Sequence, residues 1–242
     1  MFVNTSRITG FKIKAKDGGI GHVSDFLVND EYWTVSYLVA DTGSWISGRK
    51  VLVPTRELEE PDPGEEVFPV NLTRIQIKES PGIDFDKPVS MQKQYELYTY
   101  YGWKEHAFIG APGPLKYEPP SPKNVDQSSG NPHLRSLKEL VGYKIISEDE
   151  KIGKIEDFII DDDRWLCRYL VADIGGFLQD RKILISPAWI RKIVWKEENV
   201  YLTLSRDNIK SSPEYNEKET VTREYEKRLY QHFDIPGYWS QE

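Results

Sequence analysis

The sequence predicts a mainly β protein with minor α content: two tandem small β-barrels, each followed by a C-terminal helix. Three observations predict it. Residues 20–53, IGHVSDFLVNDEYWTVSYLVADTGSWISGRKVLV, return at residues 152–185 as IGKIEDFIIDDDRWLCRYLVADIGGFLQDRKILI. Short apolar segments with period-two alternation are separated by Gly, Asn and Asp turns. A Pro- and Gly-rich stretch stands between the copies. Gly21 aligns with Gly153, an offset of 132 (153 less 21), and Asp25, Phe26, Trp33 and Asp41 align at the same offset with Asp157, Phe158, Trp165 and Asp173. The register holds without a gap from Ile8 to Tyr101, with about thirty identities, so the chain is a tandem duplication. The implied domains are 1–109, a linker at 110–132, and 133–242.

In order, FKIKA alternates apolar and basic residues as a half-buried strand does, and Lys16-Asp17-Gly18-Gly19 is turn chemistry, so a hairpin opens the repeat. The returning strand carries Ile20, Val23, Phe26 and Val28, and its broken alternation around Ser24-Asp25 predicts a bulge or a change of face at the aspartate. Asn29-Asp30-Glu31 turns the chain into a central strand read from Trp33 through Val39. Asp41-Thr42-Gly43 ends that strand. KVLVP is a short strand stopped by proline, and residues 66–72 supply another. TRIQIKES and SRDNIKSS each leave room for one helical turn behind a Thr or Ser cap. Residues 86–101 change to helical spacing, and residues 220–233 repeat the pattern more cleanly, with Val221, Tyr225, Leu229 and Phe233 on one stripe. Residues 110–132 lack apolar periodicity and are read as linker.

Composition narrows the function. The 242 residues carry a formal net charge of −7 and a pI near 5.3, which opposes nonspecific attraction to nucleic acid or anionic membranes and leaves a protein partner favoured. With a mean hydropathy of −0.58 and no apolar run of the ~20 residues a bilayer span requires, the sequence predicts no transmembrane segment and a cytoplasmic address. One cysteine, Cys167, excludes an intrachain disulfide and a Cys-rich zinc site.

The chemistry-bearing residues offer little that both copies share. Asp161-Asp162-Asp163 lacks the spaced oxygens, central glycine and closing glutamate of a calcium loop, and aligns with Asn29-Asp30-Glu31, so it reads as a hairpin turn. Asp25 and Asp157, like Asp41 and Asp173, read as strand-edge carboxylates that accept backbone bonds. His22 aligns with Lys154 and His232 with Tyr100, while His106 and His133 stand in no nucleophile frame, so duplicated histidine catalysis is excluded. No catalytic, metal or cofactor residue is therefore assigned, and no cofactor is expected. Arg49-Lys50 and Arg181-Lys182 are repeated basic pairs ahead of a strand, and they mark either a solvated strand start or an interaction surface.

The segments GFKIKAKDGGIGHVSDFLVNDEYWTVSYLVADTG and VGYKIISEDEKIGKIEDFIIDDDRWLCRYLVADIG resemble two copies of the PRC-barrel domain. That family shares a small β-barrel with the cytoplasmic part of the photosynthetic reaction-centre H subunit and with the carboxy-terminal domain of the ribosome-maturation protein RimM. The resemblance implies a non-catalytic assembly module that docks on a larger protein or ribonucleoprotein complex. It leaves two alternatives: an H-subunit-like protein supporting electron transfer, or a small-ligand protein or enzyme with a site between the barrels. The repeats are expected to pair within the chain, and a homodimer is left open.

Overall fold

The computed structural model describes residues 1–43, 49–80, 100, 133–148, 150–175 and 181–240. The predicted helix at 86–101, apart from Tyr100, and the linker at 110–132 lie outside the described residues. The chain is mainly β, with two sheets and few helices, consistent with two barrel-like domains. It divides into two compact units. The N-unit comprises Thr5–Lys138 with Asp162–Leu166, and the C-unit comprises Met1–Asn4, Glu139–Asp161 and Cys167–Glu242.

The N-unit sheet contains β2 (Lys12–Ala15), β3 (Gly18–Asn29), β4 (Val35–Asp41), β5 (Lys50–Pro54) and β6 (Val67–Pro69), in the order β5-β4-β3-β2-β6. The C-unit sheet repeats this plan with β8 (Lys144–Ser147), β9 (Glu150–Asp161), β10 (Leu166–Asp173), β11 (Lys182–Ile185), β12 (Ile190–Val194) and β13 (Asn199–Leu202), in the order β11-β10-β9-β8-β13-β12. In both sheets the first hairpin strand pairs parallel with a late one, β2 with β6 and β8 with β13. The cores are apolar and closely alike: Ile13, Phe26, Leu38 and Leu52 in the first, Ile145, Phe158, Leu170 and Leu184 in the second, each essentially without exposure.

One strand in each sheet comes from the other repeat. β1 (Phe2–Asn4) pairs antiparallel with β9, and β7 (Leu134–Ser136) pairs antiparallel with β3. The registers correspond position for position: Asn4 lies opposite Ile159, and Ser136 opposite Leu27. The cause is a length mismatch. β3 has 12 residues and its hairpin partner β2 only 4, and β9 and β8 have the same lengths. The longer strand therefore runs past its neighbour with backbone groups unpaired, and a buried unpaired N–H or C=O is costly. The exchanged strand fills that position, and Leu134 joins the core cluster of Leu27, Tyr37, Val39 and Leu52.

The local expectations hold in detail. The register of β3 against β4 shifts between Val23 and Asp25, the bulge expected at the aspartate. Thr73 caps the helix Arg74–Glu79 through a full capping box with Gln76, and Ser205 caps the equivalent helix Arg206–Lys210. The carboxy-terminal helix expected at 220–233 runs Arg223–His232 behind the Thr222 cap. The start of the central strand differs from expectation: β4 begins at Val35, because Trp33 adopts φ 55° in the preceding turn, and Trp165 matches it at φ 51°. Left-handed backbone at a bulky residue costs of order 1–3 kcal/mol, so packing holds it there. Trp33 is buried, and Trp165, within the N-unit, lies 6.2 Å ring to ring from Phe68 while its carbonyl accepts the Val35 N–H at 2.7 Å.

Gly21 and Gly153 are required by close approach. A Cβ at Gly21 would stand 2.1 Å from the Asp41 carbonyl oxygen, and one at Gly153 would stand 2.2 Å from that of Asp173. Gly21→Ala and Gly153→Ala should each lower stability by about 2–4 kcal/mol, since no rotamer change relieves a clash with backbone. Gly19→Ala, whose nearest neighbour would be 3.8 Å away, should stay within about 1 kcal/mol of wild type. Urea unfolding of the three variants checks the contrast.

Candidate interaction site

The duplicated aspartates hold the exchanged strands. Asp157, 3% exposed, accepts the Asn4 side-chain amide at 3.0 Å and the backbone N–H of Phe158 at 2.8 Å. The carbonyl oxygen of the same Asn4 side chain accepts the Tyr215 hydroxyl at 2.9 Å, so β1 is read from two sides. In the N-unit Asp25 accepts the Ser136 hydroxyl, the Lys138 N–H at 3.0 Å and the Phe26 N–H at 2.7 Å. Asp30 adds a second clamp there, its carboxylate accepting Arg135 Nε at 3.1 Å and lying 2.9 Å from His133 Nδ1. Hydrogen bonds to a charged acceptor contribute roughly 1.5–3 kcal/mol each, so a three-residue strand is retained mainly by these side chains. The expectation that the aspartates accept backbone bonds holds, but the groups they bind include a segment from the other repeat, which sequence reasoning missed.

Asp41 and Asp173 each accept the N–H of the glycine two residues on, Gly43 at 2.9 Å and Gly175 at 3.0 Å, which closes the turn after the central strand. The basic pairs also act within their own unit. Arg49 donates to the carbonyls of Lys78 and Ser80, and Arg181 to those of Lys210 and Ser212, covering the ends of the two short helices where backbone acceptors lack partners. Lys50 begins β5 opposite Asp41. Lys182 sits between Glu217 at 2.8 Å and Glu156 at 3.0 Å. Desolvation acts against its charge, but these two carboxylates prevail and raise its pKa.

The carboxylates of Asp161, Asp162 and Asp163 converge within 4.8 Å, and that of Asp161 accepts Arg168 through Nε and Nη2, both at 3.2 Å. His232 bonds the Asn208 carbonyl at 2.7 Å and His22 is exposed on β3. His106 lies outside the described residues. Cys167 is fully buried, and burial raises its thiol pKa, which suits packing and opposes nucleophilic chemistry.

Two further features lie in the C-unit. Glu226, 1% exposed, accepts the hydroxyls of Tyr169 at 2.7 Å and Tyr238 at 2.9 Å and pairs with Arg223 at 3.0 Å. Burial and the Glu226 carboxylate push the Tyr238 phenol up to about 12. This network fastens the final helix to the sheet, and Phe2 of β1 meets the same Tyr169 edge to face at 6.2 Å. The second feature is β12, which ends its sheet. A bulge between Ile190 and Lys192 sets Arg191 and Lys192 together against Tyr201, with the Arg191 guanidinium 5.7 Å and the Lys192 ammonium 4.6 Å from its ring centre. Both cations are exposed. The aligned first-copy segment reads LEEPDPGEE and makes isolated bridges only, Leu58 with Val70 and Asp62 with Val67. Its prolines remove the donors a strand edge needs.

Among the described residues no nucleophile, base and oxyanion donors converge, and the C-unit offers a sheet edge bearing cations. Residues 132–208 match the model of the PRC-barrel domain. The chain contains a PRC-barrel domain. The match takes in β7 through the single-turn helix after Ser205, so this PRC-barrel segment includes the strand that lies in the N-unit sheet. The first copy repeats its sequence at the constant offset. No curated protein matches the chain. No helix among the described residues is long and apolar enough to cross a membrane.

Burial, the largest influence on Asp25, raises its pKa above the ordinary 3.8, although the bonds from Ser136, Lys138 and Phe26 favour the anion. A carboxyl with a raised folded-state pKa binds its proton more tightly folded than unfolded. Its contribution is therefore full below 3.8 and is lost as pH rises through the folded value. Relative to Asp25→Asn, which keeps shape without titrating, the wild-type chain should gain stability as pH falls from neutral toward 3.8. Urea midpoints across that range test the sign, and a constant difference contradicts it.

Proposed function

We propose that the chain is a non-catalytic assembly protein whose PRC-barrel domain docks, through the β12 edge, on an acidic extended segment of a larger protein complex. The observation that carries this reading is the asymmetry between two otherwise matching sheets. The edge strand is continuous apart from one bulge, and cationic, in the C-unit, and the aligned segment in the N-unit is broken by prolines and acidic. An added strand takes its affinity from main-chain hydrogen bonds and its selectivity from side chains, and Arg191 and Lys192 select acidic residues against other edges. The negative net charge does not oppose this, because fields beyond the Debye length of ~8 Å are screened at physiological ionic strength.

The duplicated polar residues support the same reading. Asp25, Asp157, Arg49 and Arg181 satisfy backbone and exchanged-strand groups, so duplication preserved a scaffold. A photo-crosslinking residue at Ile193 in the native host should capture one defined protein. With that protein purified, Arg191→Glu with Lys192→Glu should weaken binding about 10-fold or more without changing the melting temperature. Equal affinity in the double variant, or substrate turnover by the purified chain, overturns the proposal.

A further inference from the structure

We propose that the edge of β9 at Ile159–Asp161 is a strand-acceptor site that β1 fills in cis, and that it also accepts the amino-terminal segment of a second copy of this chain. The site is built for one sequence. Asn4 is met from opposite sides by the Asp157 carboxylate, which takes its N–H, and by the Tyr215 hydroxyl, which donates to its oxygen. Aspartate at this position would place two carboxylates together, and an aliphatic residue would leave Asp157 without the amide. Two positions earlier, on the same face of the strand, Phe2 meets the Tyr169 ring edge to face. The edge thus reads Phe-x-Asn while the backbone pairing at Val3 tolerates other side chains.

The occupant arrives from far along the chain, since Asn4 and Asp157 are 153 residues apart. The N-unit shows the same edge of β3 receiving Leu134–Ser136 from the other repeat in the equivalent register. Acceptance of a strand delivered from elsewhere is therefore a property of the repeat. A bound strand of three residues, with Phe2 and Val3 half-buried, lies at the low end of local opening free energies, so the edge becomes available without global unfolding. A second copy carries the one segment already shown to fit.

The test uses the full chain and a labelled peptide FVNTSRI, the sequence of residues 2–8. In wild type the tethered strand competes at a local concentration on the order of millimolar, so the peptide should bind at least ~10-fold more weakly than to the Phe2→Ala, Asn4→Ala variant. Adding Tyr215→Phe to that variant should weaken FVNTSRI several-fold and leave FVATSRI unchanged, because of the two peptides FVNTSRI alone carries the amide that the hydroxyl meets. If the Phe2→Ala, Asn4→Ala variant fails to fold, recovery of cooperative melting with FVNTSRI and not with a scrambled peptide supports the site. The proposal is overturned if FVNTSRI neither binds nor restores the variant, if it binds no better than the scrambled peptide, or if Tyr215→Phe affects both peptides equally.

Discussion

Twelve-residue strands paired with four-residue neighbours impose the constraint on which the rest depends. The far half of β3 and of β9 has a backbone edge inside the unit, and a buried edge has to be matched. Each sheet solves this with three residues from the other repeat, and each solution places an aspartate where the exchanged strand ends. Asp25 thereby links the bulge in its own strand to the hydrogen bonds that hold a distant segment, and Asp157 makes the equivalent bond to Asn4.

The covalent path follows from this. Chain membership changes between Asn4 and Thr5, between Lys138 and Glu139, between Asp161 and Asp162, and between Leu166 and Cys167. The strand that completes each sheet is therefore joined to that sheet only through the linker or the unit crossings. The duplication is thus used in the fold itself, because each copy gives its first strand to the sheet of the other. The copies diverge in the edge segment, which the first breaks with Pro61 and Pro63 and the second keeps as the strand β12; in the C-unit the Glu226 network secures the final helix.

Much of this was legible in the residues. The offset of the repeat, the bulge at Asp25, the capped single-turn helices and the Asp-x-Gly turns are all local chemistry, set by neighbours within a few positions. The left-handed Trp33 and Trp165 were not, because the intrinsic preference of tryptophan points to a strand and packing overrides it. The exchange was not legible either: three residues show no periodicity, and no local signal says that Asn4 bonds a residue 153 positions away. The basic pairs read as either a solvated strand start or an interaction surface, and the sequence did not show that their guanidinium groups cover carbonyls about thirty residues later, a contact that depends on where the helix ends fall. The cationic edge at Arg191 and Lys192 was not legible, because its significance requires knowing that β12 is the last strand of its sheet.

The most direct measurement is cross-strand disulfide formation in the full chain with Cys167 replaced by serine. Val3 lies opposite Ile160 in the exchanged register, whereas the matching position in its own repeat is Val28. Val3→Cys with Ile160→Cys should form an intramolecular disulfide under mild oxidation, and Val3→Cys with Val28→Cys should not. A disulfide to position 28 and none to position 160 would show that each repeat keeps its own first strand, and would contradict the exchange.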